Sequence, residues 1–375
     1  MTNIISRVKR LSEMKETKQL DACMITSPSS VKYFSGYFFY FEYGPSPFHL
    51  LPAICMLGRQ SDISLIIADN ETGRAAYLDP IVEISPYASY TFEQAADPTG
   101  ACMRNILAYF QKKKLGASRI GIEPDSIPFV ITQTLKELFP SIEWVDVSSD
   151  INYLKSIKDS DEIEMIRRSA GLADIGQAAV LKYAKVGMSE LELFSLAHRD
   201  IETFAGTRVP VMADLSTGIN TRGGGGMPTN KIIQSGDLII SDFQPCLHGY
   251  WGDSCNTMVV GAATPDQKKT WRLVREALEI GIGAIKPGMR ANEVDKLLRA
   301  HIGNYPHHSG HSVGTSSHEG PRITPYNETE LVSGMVIALE PAIYKETYGI
   351  RLEHLMVVTD SGCDVLTKFK HRFEN

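Results

Sequence analysis

Two stretches decide the fold of this chain when laid over one another: Ser235-Gly236-Asp237-Leu238-Ile239-Ile240-Ser241-Asp242 and Ser333-Gly334-Met335-Val336-Ile337-Ala338-Leu339-Glu340. In each, a Ser-Gly turn starts an apolar strand, and a carboxylate follows six residues after the glycine. Each continues into a second strand with another carboxylate, Asp253 or Glu353, and ends in Met-Val-Val at Met258-Val259-Val260 and Met356-Val357-Val358. Carboxylates matched on all four strands point to duplication of one helix-plus-hairpin unit.

Working outward, apolar periodicity predicts helices at about 158–183, 188–204, 266–285 and 291–303, alternating with strand pairs in an α+β pattern. The run Gly223-Gly224-Gly225-Gly226 reads as a loop, because the spacing of a dinucleotide fingerprint is absent. Upstream the pattern differs. An amphipathic helix at 6–18 is followed by apolar strands at 22–26, 51–57 and 63–68, then a helix near 96–114 and a strand at 119–123. Such alternation predicts a three-layer α/β domain. The polar, charged segment 150–161 marks the change, giving an N-terminal domain at 1–150 and a catalytic domain at 151–375.

The 375 residues include 43% hydrophobic and 22% charged positions, with a net charge of −6. Nucleic acid is therefore not an expected partner, since a phosphate-binding face needs a basic excess. The six cysteines are scattered without paired spacing, which suits reduced thiols in a cytoplasmic protein. The N-terminal stretch is polar, and no apolar run reaches the roughly 20 residues of a membrane span. The expectation is a soluble, cytoplasmic protein with no membrane partner.

The carboxylates carry the chemistry. Asp242 and Asp253 are separated by an odd number of residues, so a symmetric hairpin turning near Cys246-Leu247-His248-Gly249 would set them opposite each other, with Cβ atoms about 4.5–5.5 Å apart. Glu340 and Glu353 would pair the same way across a turn near Glu346-Thr347. Opposed like charges in apolar strands need a cation between them. His311 supplies a fifth ligand, from a stretch that holds four of the ten histidines: His307, His308, His311 and His318. One nitrogen among mostly hard oxygens favours manganese, cobalt, iron or zinc. Five such ligands suffice for two ions about 3.5–4 Å apart, which lower the pKa of a bridging water from 15.7 towards about 7.

These residues resemble the metal site of the pita-bread metallopeptidases: aminopeptidase P, prolidase and methionine aminopeptidase, with creatinase as a relative lacking a catalytic metal. The motifs are Gly310-His311-Ser312-Val313-Gly314, His318-Glu319-Gly320-Pro321, Glu340-Pro341-Ala342-Ile343-Tyr344 and Arg351-Leu352-Glu353. Met24-Ile25-Thr26-Ser27-Pro28 and Val31-Lys32-Tyr33-Phe34-Ser35-Gly36-Tyr37 are similar to the creatinase/prolidase N-terminal domain. Leu154-Lys155-Ser156-Ile157-Lys158 resembles the opening of the catalytic domain.

The resemblance implies a C-terminal pita-bread fold with pseudo-twofold helix-hairpin units behind a creatinase-like α/β domain. It implies Asp242, Asp253, His311, Glu340 and Glu353 as ligands of two divalent ions, manganese first, with cobalt, zinc and iron as alternatives. Glu340 would also take a proton from the bridging water, His318 would bind the substrate carbonyl, and His307 and Arg351 would contact substrate.

One departure bears on substrate. Proline-specific members carry a histidine three residues before a loop proline, matched here by Pro228, and that position is Gly225. Gln244 and Asn256 also differ from the family pattern. The expected function is an Xaa-Pro peptidase-like hydrolase of a C–N bond acting on a short peptide. The alternative is an amidohydrolase of the creatinase or ectoine-hydrolase type, or a lyase, acting on a small metabolite. The resemblance also implies a homodimer. Tyr37-Phe38-Phe39-Tyr40-Phe41 with Tyr43 and Phe48 reads equally as a wall for the partner's site or as core.

Overall fold

The computed structural model describes residues 4–39, 51–59 and 62–374. The chain divides into two compact units, Met1–Lys155 and Ser156–Asn375. Of the aromatic stretch, Tyr37 is buried and Phe39 stacks under Arg74; Tyr40, Phe41, Tyr43 and Phe48 lie outside the described residues.

The first unit is built on a six-stranded mixed sheet in the order Val82–Tyr87, Ile63–Ala68, Ile54–Leu57, Ala22–Ile25, Arg119–Ile122, Glu143–Asp146. Strand side chains alternate between faces. Cys23, Ile25, Cys55, Leu57 and Leu65 pack with Ile4, Val8 and Leu11 of the helix Ile4–Thr17. Ala22, Met24, Ile54, Met56 and Ile66 pack with Cys102, Ile106 and Phe110 of the helix Pro98–Lys113. Strands covered on both faces read as continuous apolar runs, as these do. The three-layer α/β expectation therefore holds.

The second unit repeats itself. Helices Ser160–Tyr183 and Glu190–Ala205 precede a hairpin of Leu238–Leu247 with Ser254–Val259. Helices Pro265–Ala284 and Ala291–Ile302 precede a second, of Val336–Leu339 with His354–Val358. The turns into the two hairpins match bond for bond. Gly236 N–H donates to the Val260 carbonyl at 2.7 Å, and Gly334 N–H to the Val358 carbonyl at 2.9 Å. Val260 N–H returns to Asp237 at 2.9 Å and Val358 N–H to Met335 at 2.8 Å. Both glycines sit at φ 90°, where a Cβ is disfavoured, so the paired Ser-Gly signals in sequence have one backbone cause.

In the second hairpin Leu339 pairs with His354 and Ala342 with Arg351. These pairs bracket Glu340 and Glu353, which fall opposite each other as expected. The first hairpin departs from expectation. Its turn is His248-Gly249, both at positive φ, a two-residue turn of the kind that suits the strand twist. The tighter turn sets Asp242 opposite Cys255 and Ser254 opposite Phe243. Asp253 thus stands diagonal to Asp242 on the same face, with its Oδ2 3.2 Å from Gln244 Nε2. An edge strand not foreseen from sequence, Val211–Thr217, pairs with the first hairpin and sets Asp214 opposite Asp242.

Candidate metal centre

His311 lies on the short strand Gly310–Ser312, held between Glu319–Ile323 and Val336–Leu339, with His311 opposite Ala338. This places its ring beside the carboxylates that leave the two hairpins. The hairpins are joined to each other: Glu353 N–H donates to the Cys255 carbonyl at 2.9 Å, and Thr257 Oγ1 donates to the Arg351 carbonyl at 2.8 Å. All five expected residues meet in one place. His311 Nε2 is 3.6 Å from Asp253 Oδ2 and 3.7 Å from Glu340 Oε1, and ligand atoms of Asp253, His311 and Glu353 lie within 4.8 Å of one another.

The five are almost wholly withdrawn from solvent, none more than 7% exposed. Among the described residues Asp242 Oδ1, Asp253 Oδ1 and Glu353 Oε2 make no hydrogen bond. Buried carboxylate oxygens without partners are costly, and a cation removes that cost. The His311 ring is oriented for the same purpose: its Nδ1 donates to the Ser312 carbonyl at 3.0 Å, leaving Nε2 as an acceptor toward the centre. Burial holds the His311 pKa down at about 4, so the ring is neutral and able to ligate. These residues fit a pair of divalent ions.

Without a cation the crowded carboxylates hold protons. Burial, together with the neighbouring acids, raises Asp253 and Glu353 well above the usual carboxylate range. Burial lifts Asp242 to about 6 against the pull of Arg351. Burial would raise Glu340 too, but the His308 hydrogen bond, Arg351 and His311 outweigh it and hold it at about 2. A cation must displace the protons of the raised acids. Ion binding at pH 6 is therefore expected to release protons, and affinity to fall as the pH drops below 6. Calorimetric titration in two buffers of different ionisation enthalpy measures this. The metal-free protein shows the converse. For Asp242 the folded pKa exceeds the unfolded one, so its contribution to stability without metal declines as pH rises from about 4 to 6, and the raised Asp253 and Glu353 extend the decline to higher pH.

The other expected residues surround a cavity of about 860 Å³. His318 is exposed to it, with its ring stacked on His311 at 4.2 Å between centroids. His307 lines it too. Its Nδ1 lies 2.7 Å from the His308 carbonyl, and its Nε2 lies 2.9 Å from Tyr344 Oη. Arg351 directs Nη2 at Asp242 Oδ2, 2.6 Å away, and at Asp214 Oδ2, 3.2 Å away, and Nη1 at the Gly224 carbonyl. Much of its hydrogen-bonding capacity therefore goes to holding a candidate ligand and the glycine loop.

Two residues went unassigned in the sequence. His308 Nε2 lies 2.9 Å from Glu340 Oε1. Asp214 lines the cavity, and its carboxylate occupies the space that a Cβ at Gly225 would enter. The space beside Gly225 is filled by a carboxylate from the neighbouring strand. An acid between Ala213 and Leu215 was the available signal.

The pattern of metallopeptidase family M24 matches residues 164–360, just over half of the chain. The chain belongs to metallopeptidase family M24. The creatinase/prolidase N-terminal domain pattern matches residues 7–157. The M24 chain is 31% identical to the Xaa-Pro dipeptidase of Pyrococcus horikoshii over 266 residues, covering 69% of this chain and 76% of that protein. It is 32% identical to the Xaa-Pro dipeptidase of Pyrococcus furiosus over 256 residues, covering 66% and 73%. The crystal structure of the Pyrococcus horikoshii prolidase superposes with a TM-score of 0.82 at 25% identity, over 98% of this chain and 99% of that one. The protein is thus a metal-dependent hydrolase with the two-domain prolidase architecture. Peptide hydrolysis is favoured over the amidohydrolase or lyase acting on a small metabolite.

Proposed function

We propose that the protein is an Xaa-Pro dipeptidase-like enzyme that holds two divalent ions on Asp242, Asp253, His311, Glu340 and Glu353. The observation that carries the reading is the convergence of these five buried donors, three with orphaned oxygens, of which Asp242, His311, Glu340 and Glu353 line the cavity shared with His307 and His318. The Xaa-Pro dipeptidases among its relatives supply the substrate class. An oxygen-rich donor set favours manganese, with cobalt, zinc and iron as alternatives.

When bound, the ions supply Lewis acidity and a water of lowered pKa. The chain's own residues do the rest. Glu340, ionised at neutral pH, accepts the proton of the attacking water and returns it to the leaving nitrogen. His318, open to the cavity, donates a hydrogen bond to the carbonyl oxygen as charge develops there. His307, fixed by Tyr344, lines the leaving-group side, and Arg351 supports the substrate pocket from the Asp242 side.

Ala-Pro and Gly-Pro are expected to be hydrolysed by manganese-loaded protein and untouched after chelation. His318→Ala is expected to cut that turnover by about 10². Assay of both dipeptides beside a small-metabolite panel decides the matter; turnover confined to the panel would overturn the peptide reading.

No described helix is long and apolar enough to cross a membrane, and no disulfide joins the described cysteines. A cytoplasmic location accords with both. We also propose a homodimer, with an expected light-scattering mass of about twice 41.5 kDa; a monomer mass would remove that proposal.

A further inference from the structure

His308 is unexplained by the five-donor centre. It lies one residue after His307 and three before His311, on the chain that leads into the ligand strand. Its side chain is 20% exposed, and Nε2 reaches to 2.9 Å from Glu340 Oε1. Two donors each about 2.1 Å from one ion, at right angles to each other, stand about 3 Å apart, so the contact has the span of neighbouring ligands on a shared ion. The ring nitrogens of His308, His311 and His318 also lie within 4.8 Å of one another.

The three imidazoles are not equivalent. His318 stacks on His311 with planes 26° apart and centroids at 4.2 Å. Stacked rings send their lone pairs side by side instead of converging on one ion. His308 stands nearly perpendicular to His311, with planes 78° apart and centroids at 5.3 Å. That crossing allows His308 Nε2 and His311 Nε2 to converge on the position that Glu340 borders, while His318 stays free for substrate.

We propose that His308 is a sixth donor, to the ion position bordered by His311 and Glu340, and that the resulting pair of imidazoles makes this position select zinc or cobalt over manganese. The proposal rests on the five-residue reading above and adds to it the identity of the preferred ion at one of the two positions. Imidazole suits zinc and cobalt better than manganese, whereas carboxylates suit manganese. An added imidazole therefore raises affinity unequally. A histidine that only hydrogen-bonds the Glu340 carboxylate would act as an outer partner and support every ion alike.

The test is equilibrium dialysis of the full chain against a mixture of zinc and manganese, with the bound ions counted by mass spectrometry. The unaltered protein, His308→Asn, His308→Ala and His318→Ala are compared, with far-ultraviolet circular dichroism confirming the fold. Loss of the imidazole is expected to lower zinc retention about 10–100-fold while manganese changes less than about threefold. His318→Ala is expected to keep the zinc-to-manganese ratio of the unaltered protein. Equal losses of both ions in the His308 variants, or no loss, overturn the sixth donor and leave the five-residue centre standing. An unaltered protein that retains neither ion overturns both.

Discussion

Exchange of Glu340 for glutamine is expected to lower turnover of Xaa-Pro dipeptides by about 10³, within the 10²–10⁴ span of a positioned proton acceptor. The change keeps the shape of the side chain and removes its charge. In the structure this carboxylate lies 3.7 Å from His311 Nε2, 2.9 Å from His308 Nε2 and 3.9 Å from Arg351 Nε. Without an ion, the hydrogen bond from His308 and the charge of Arg351 hold it ionised where burial alone would protonate it. A glutamine accepts no proton, so the loss should appear in kcat with KM little changed, the mark of an interaction made in the transition state. Counting bound metal in the same samples separates the two roles of the residue. A variant that keeps both ions and still works within tenfold of the unaltered protein would remove Glu340 as the base.

The fold was legible because duplication writes the same physical demand twice. Ser235-Gly236 and Ser333-Gly334 each mark a turn that needs positive φ, and the apolar strands after them are buried on both faces. The pairing of Glu340 with Glu353 was legible for the same reason. The register of the first hairpin was not. Sequence gives a parity for Asp242 and Asp253, while the turn geometry at His248-Gly249 sets which residues stand opposite.

Asp214 escaped because its partner Asp242 is brought to it by an edge strand, and pairing between distant segments leaves no local period. His308 escaped because a cluster of histidines does not say which ring meets which carboxylate. The Arg351 contacts have the same cause: motif matching names a residue, but only the packed structure shows that its guanidinium spans Asp242, Asp214 and the Gly224 carbonyl.

Replacing Lys158 with methionine is expected to cost about 3–5 kcal/mol, the range for removing one partner of a buried ion pair. Lys158 and Glu319 have side chains only 1% and 6% exposed, with Nζ 3.1 Å from Glu319 Oε2. The ammonium also donates to Ser312 Oγ at 2.7 Å and the Ser156 carbonyl at 3.3 Å. Ser312 follows His311 and Glu319 follows His318, so one lysine ties the strand bearing a candidate ligand to the strand that His318 precedes. Glu319 is further bound by Thr315 Oγ1 at 3.2 Å and Ser316 N–H at 3.0 Å, which fold the intervening loop around its carboxylate. Methionine fills much of the lysine stem's volume but takes the ammonium away from that carboxylate in a dry site. The unfolding midpoint in urea should drop at constant slope. The double variant Lys158→Met with Glu319→Gln should recover most of the loss, because the buried charge that lost its counter-ion is then gone. Turnover should not recover with it, since the loop that presents His318 has lost the ion pair that holds it. A single variant less than about 1 kcal/mol below the unaltered protein would show that the pair contributes little.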